Sequence, residues 1–328
     1  MQKSIRILSV ALAAQILLAI MTYSGSTRLA TSPRGDHLLT FNPSQVDGIV
    51  IRGSNGAEVR LSKNDSWHLA DGFPADGDRV TRLLDRLHDM KHGLAVATTP
   101  TAQARFAVAT KKFERCLTLL HDKQPLAVMY LGRGAGARRS YVRADKAQAI
   151  YSVELGSYDL PVEKAAWQDK TVLQLEDITA LESGGIRVEK RKGADTGTSQ
   201  VWWSNKTPKG KQPDSKAIEH AVSLLETLRF TKVLGQARPD DYDVEHPVLS
   251  FSIEWKHGRR KYRFARHAKD DLYALKVSDR PEYFEIAGYI FDGLKASMAP
   301  EKWFTDIKPT QPERQGNKTQ TPGNNSAG

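Results

Sequence analysis

A single cysteine, Cys116, is all that the 328 residues contain. That excludes an internal disulfide framework and any structural zinc site built mainly from thiolates. There is no Walker sequence and no Gly-x-Ser-x-Gly elbow, so neither a P-loop nucleotide site nor a hydrolase nucleophile of that type is expected. After residue 23 no apolar run is long enough to span a membrane. Acidic residues are in deficit, 38 Asp plus Glu against 48 Lys plus Arg, for a formal charge of +10. A hydrophobic content of 40% nonetheless suits a folded chain, and the length suits roughly two domains of about 100–200 residues each.

Lys3 and Arg6 precede an apolar run from Ile7 to Tyr23, broken only by Ser9, Gln15 and Thr22. The run is at the short end of what crosses a bilayer. Small residues in an A-x-A-like order should follow a cleavable signal, whereas Tyr23-Ser24-Gly25 begins with a bulky ring and Arg28-Leu29-Ala30 with a charge. Residues 1–23 are therefore expected to be an uncleaved anchor rather than a signal peptide, with 24–37 as linker. The positive flank places the rest of the chain across the membrane, which in a bacterium is the periplasm.

Internal similarity dominates the remainder. Trp67 lies 100 residues before Trp167, and Trp203 lies 100 before Trp303. Phe73-Pro74-Ala75-Asp76 leads into a stripe of Val80, Leu83, Leu84, Leu87 and Met90. Lys211-Gln212-Pro213-Asp214 leads into Ile218, Ala221, Val222, Leu225 and Leu228. Both are helical spacings, with Asp76 or Asp78 and Asp214 or Ser215 as N-caps. Each helix precedes a short β-like stretch, Leu94–Ala97 or Thr231–Leu234, and then a hairpin: Cys116–Leu120 with Leu126–Tyr130, and Leu249–Ile253 with Tyr262–Phe264. A tyrosine strand follows in each half, Ile150–Val153 and Leu272–Leu275. The pattern predicts an α+β fold: a tandem repeat of two antiparallel-sheet-plus-helix domains after an N-terminal transmembrane helix. The expected bounds are 38–170 and 171–304, with a disordered tail at 305–328.

These residues carry a resemblance. The anchor, Trp67, Pro74-Ala75-Asp76, the leucine-striped helix, the hairpin, Tyr151-Ser152-Val153 and the closing Ala166-Trp167-Gln168-Asp169-Lys170-Thr171, followed by a second copy, resemble the bacterial domain-of-unknown-function family 4340 over about 38–304. Members often show a Tyr-Gly-Leu turn before each hairpin, where this chain has Phe106-Ala107-Val108 and Tyr242-Asp243-Val244. The resemblance implies no catalytic residues and no cofactor. It also implies a partner in the envelope, since members are frequently encoded beside a gliding-motility-type ABC transporter.

Searching for chemistry gives little. His88 and His92 stand four apart on the first helix but lack the glutamate and third ligand of a zinc site, and read as solvated. Asp240, Asp241, Asp243, Glu245 and His246 offer oxygen ligands but match no calcium loop. These two groups are what a metal-dependent hydrolase, the alternative function, would have to use. Gly132-Arg133-Gly134-Ala135-Gly136 runs into the strand-like Arg138–Val142, so it reads as a hairpin turn rather than a phosphate loop. Cys116 reads as a buried thiol.

The basic clusters are more telling. Lys256, Arg259, Arg260, Lys261, Arg263, Arg266 and Lys269 occur between Trp255 and Lys269 without one acidic residue. Strand alternation places Tyr262 and Phe264 on one face and Lys261 and Arg263 on the other, with Arg266 past the strand end. Arg133, Arg138, Arg139 and Arg143 occupy the corresponding region of the first repeat. The simplest reading is a solvated sheet face; the functional one is a surface for an acidic partner or for anionic headgroups. Nucleic acid is not expected, because the anchor holds this surface outside the cytoplasm. The expectation is therefore a non-enzymatic, single-pass inner-membrane protein with periplasmic domains, an accessory of a transporter-like complex.

Overall fold

The computed structural model describes residues 35–192 and 200–307. The expected anchor at 1–23 lies outside these residues, among which no helix is long and apolar enough to cross a membrane. The chain divides into two units between Asp169 and Lys170.

In the first unit, β1 (Gly48–Gly53), β2 (Glu58–Lys63) and β3 (Trp67–Leu69) form a meander, followed by helix α1 (Gly77–His88). Then come β4 (Arg115–His121), β5 (Gln124–Gly134), β6 (Ser140–Ala144) and β7 (Tyr151–Val153). All seven join one antiparallel sheet in the order β3-β2-β1-β4-β5-β6-β7. Helix α1 starts where Asp76 accepts the Arg79 amide at 2.8 Å, which satisfies one of the otherwise unpaired first-turn amides. It buries Val80, Leu83, Leu84 and Leu87, each stabilising the fold by roughly 1.5–3 kcal/mol relative to exposure.

The second unit repeats the plan with β8 (Ile178–Ser183), β9 (Ile186–Lys192), β10 (Gln200–Ser204) and helix α2 (Ser215–Glu226). After these come β11 (Lys232–Gly235), β12 (Leu249–Trp255), β13 (Gly258–Arg266), β14 (Leu272–Val277), β15 (Tyr283–Ala287) and α3 (Gly288–Ser297). Its sheet order is β10-β9-β8-β12-β13-β14-β15-β11, the same order with an eighth strand at the end. Asp214 caps α2 through the Lys216 and Ala217 amides. In both units the cap residue's own amide donates to the closing tryptophan, Asp76 to Trp167 O and Asp214 to Trp303 O, each at 2.8 Å. Both tryptophans are fully buried, and both indole N–H groups donate six residues back, to Pro161 O at 2.9 Å and Ser297 O at 2.8 Å.

Several expectations are corrected. The inward partner of Trp67 is Trp202, not Trp203. Lys63 pairs with Trp67 and Lys190 with Trp202, and alternation turns Trp203 outward to 39% exposure. The tyrosine strand Tyr151–Val153 matches β15, whereas Leu272–Leu275 matches β6. Leu94–Ala97 forms no strand, because only Ala97 bridges Ile150. Residues 36 and 37, expected in the linker, are tied to the first unit, since His37 bridges Lys91 and Asp36 O accepts the His92 amide at 3.0 Å; residues 24–34 lie outside the described residues. Residues 305 and 306, expected in the tail, belong to a strand, because Phe304–Asp306 pairs with Lys211–Pro213; the rest of the expected tail lies outside the described residues from 308 on.

The Tyr-Gly-Leu position is resolved differently in the two halves. Ala107 takes the glycine's place with φ 55°, whereas Asp243 does not adopt a positive φ.

Candidate functional site

Strands β12, β13 and β14 set the stage by alternation. Phe251, Ile253, Arg260, Tyr262, Phe264, Leu275 and Val277 are buried, and the residues between them turn to the other face. There Ser250, Arg263 and Lys276 stand in one cross-strand row, with Ser252 and Lys261 in the next. The Lys261 amide donates to Ser278 Oγ at 3.0 Å. Shallow hollows of about 350 and 230 Å³ flank Lys261 and Arg263.

The charges on this face are not evenly balanced. Toward β9, Arg187 meets Glu254 at 2.6 and 2.8 Å and Glu189 at 2.8 Å, and Arg191 meets Glu189 at 2.6 Å while lying 3.5 Å from the Trp203 ring centroid. Hydrogen bonds from Arg187 hold both glutamates below the usual carboxylate range, with Arg191 helping at Glu189. Arg259 pairs with Glu182. Toward β14 no ion pair is made with this face among the described residues, although Asp279 and Glu282 lie near enough to Lys276 to favour its charged form. Lys261 and Arg263 have no acidic partner among the described residues. Lys276 donates only to the carbonyls of Arg280 and Val277, and desolvation pulls its ammonium below the ordinary lysine value.

The expected residues thus separate. Lys261 and Arg263 form the centre, with exposed Lys256 in the β12–β13 turn. Arg259 is neutralised. Arg260 is not on the surface: its side chain is 5% exposed, clamps Asp279 with two 2.7 Å hydrogen bonds and donates to Leu173 O at 3.0 Å. Its phase is that of Tyr262, so alternation carries it inward. Arg266 is exposed but lies within β13, paired with Tyr273, rather than past its end. Arg138 and Arg139 are exposed in the β5–β6 turn of the first unit, Arg138 with φ 57°. Arg143 is buried, donating to Val108 O at 2.8 Å. Lys276 was not anticipated, and only the pairing of β13 with β14 brings it beside Arg263.

Each unit covers part of this face with its own chain. In the first, Cys116, Tyr130 and Arg143 stand opposite one another; in the second, Tyr242 and Val244 pack on the Ala265 and Ala274 pair, next to Arg263 and Lys276. Val108 and Ile150 pack on Cys116 and Tyr130, with Phe106, Phe113 and Tyr141 around them. Burial of the lone thiol is thereby accounted for, and Arg52 Nη2 reaches its sulfur at 3.6 Å.

Neither metal candidate converges. Helix α1 ends at His88, whose Nδ1 lies 3.1 Å from Phe41 O, while His92 is buried with its ring stacked on Tyr151 at 3.8 Å. These histidines are packed rather than solvated. In the 240–246 segment Glu245 pairs with Arg238 and Asp243 with His246, and Tyr242 is buried with its hydroxyl on Glu285 at 2.9 Å. Among the described residues, Asp47, His121 and Asp122 alone bring three ligand atoms within 4.8 Å of one another.

The family model for a domain of unknown function, DUF4340, matches residues 67–247. The chain belongs to this family. The match takes in most of the first unit and the second as far as the strands preceding β12, and the family's description specifies no activity. No curated protein and no solved structure matches the chain.

Proposed function

We propose that this DUF4340 protein is a non-catalytic accessory of the bacterial envelope. Residues 1–23 hold it in the inner membrane, and the Lys261, Arg263 and Lys276 face docks an acidic surface of a partner protein in a transporter-like complex. One observation carries the docking: Lys261 and Arg263 stand next to each other on an exposed sheet face with no acidic partner among the described residues. Burying unbalanced cations against an acidic partner gains complementarity and speeds encounter.

Co-purification from detergent-solubilised membranes tests this. A stable partner is expected with the native chain, weakened about tenfold or more by Lys261→Glu with Arg263→Glu and released by salt. Recovery of a free monomer in both cases overturns the reading. Retention by anionic vesicles alone replaces the protein partner with lipid headgroups.

A further inference from the structure

One sheet edge is closed in the second unit and open in the first. In the second, β11 extends the sheet through Lys232 opposite Glu285 and Val233 opposite Phe284. The corresponding stretch in the first unit, Leu94–Ala97, touches the β7 edge at one point. Ile150 N–H donates to Ala97 O at 2.8 Å and Val96 N–H to Ile150 O at 2.7 Å. It then leaves the edge, with Leu94 61% and Val96 46% exposed.

Alternation turns the N–H and C=O of Ser152 to the same side as those of Ile150. On that side the Ser152 N–H meets no acceptor among the described residues. The Ser152 carbonyl is held by the Arg139 guanidinium, whose Nε also donates to Ser152 Oγ at 3.0 Å. Arg86 holds the carbonyl of Glu154 in the same way. Such side-chain cover is how open edges are kept from pairing at random.

The edge borders a groove of about 950 Å³. Lys91, Arg138 and Arg139 line it, with Arg86 already paired to Asp159 at 2.6 Å, against the carboxylates of Asp89 and Glu154. Tyr158, 61% exposed, forms part of its wall.

We propose that this edge takes up an extended acidic segment of a partner protein as an added strand. The segment supplies an acceptor for the Ser152 amide and a donor for its carbonyl. Arg139, displaced from that carbonyl, pairs with a carboxylate of the incoming strand, and Lys91 and Arg138 pair with others. A neutral or basic strand has nothing to offer the displaced guanidinium, so charge selects the occupant.

The test uses the full chain and a labelled peptide of about ten residues alternating threonine and glutamate, a strand-forming acidic probe. Fluorescence anisotropy at low salt is expected to show saturable binding, weakened about tenfold by Lys91→Glu with Arg138→Glu. It should be lost when the alternate, edge-facing residues of the peptide are proline, and retained by Lys261→Glu with Arg263→Glu. Hydrogen exchange at Ser152 should be fast in the free protein and slow in the complex. Absence of binding, equal binding of the proline peptide, loss on changing Lys261 and Arg263, or a Ser152 amide already slow without peptide would each overturn the proposal. The last outcome would mean that the chain closes its own edge.

Discussion

Arg260 and Lys261 are neighbours of the same charge with opposite roles. Arg260 is sealed beneath the sheet with Asp279 and the Leu173 carbonyl, and Tyr262 beside it has its phenol pushed up to about 12 by burial. Removing the buried guanidinium breaks its hydrogen bonds to Asp279 and to Leu173 O and leaves a void. Arg260→Ala is therefore expected to cost about 2 kcal/mol in urea unfolding, against less than about 0.5 kcal/mol for Lys261→Ala. Equal effects would place both on the surface. The sequence states the alternation that separates them, since Arg260 shares the phase of Tyr262 and Phe264. A run of seven basic residues hides it, because charge alone argues for solvent and the Asp279 partner lies just past the end of β14, where no local pattern pairs it with β13.

At the scale of elements, the caps, the leucine stripes and the hairpins were legible because each is a local signal with its own period. Strand identity was not. Trp203 was matched to Trp67 by its spacing from Trp303, while the register of β9 with β10 gives that place to Trp202. Leu94–Ala97 has a strand's composition but lacks a strand's pairing. Close approach between elements is equally silent in sequence: a Cβ added to Gly132 in β5 would sit 2.1 Å from Phe106 O and 2.6 Å from Ala107 O. Backbone atoms cannot move aside as a side-chain tip can. Gly132→Ala is expected to destabilise the first unit by about 3 kcal/mol, read from thermal unfolding. Ala107→Gly, which relieves a left-handed residue, should instead gain up to about 1 kcal/mol.

For the whole molecule, each unit has a sheet, a capped helix and a closing tryptophan of its own, but they spend their charge differently. The second unit carries the Arg187, Glu189, Glu254 network on its open face. Both glutamates titrate below the usual range in the folded state. Their contribution is therefore present above the ordinary glutamate value of about 4.5 and lost as pH falls through the depressed folded values. Screening by solvent keeps it to about 1 kcal/mol. Protection factors for amide exchange across β9 should fall on acidification below that range, and Arg187→Met should flatten the dependence; unchanged protection would assign the network no energetic role. The duplication was legible from the tryptophans and the Pro-Ala-Asp and Pro-Asp entrances, but the packing of Phe106 and Val108 in one unit, and of Tyr242 and Val244 in the other, over the sheet was not. That cover is a tertiary contact rather than a pattern.

The hydrogen bond from each cap aspartate to its closing tryptophan also orders events in time. A chain that emerges from the ribosome or through a translocation channel presents Asp76 long before Trp167, and Asp214 long before Trp303. Helix α1 can coil early, yet its entrance is anchored only when the end of the same unit arrives. Until then the growing sheet stands with its last strands absent and its edges available to strangers. Vectorial synthesis therefore completes each unit in one late step, and the second repeat begins to appear just as the first becomes able to close.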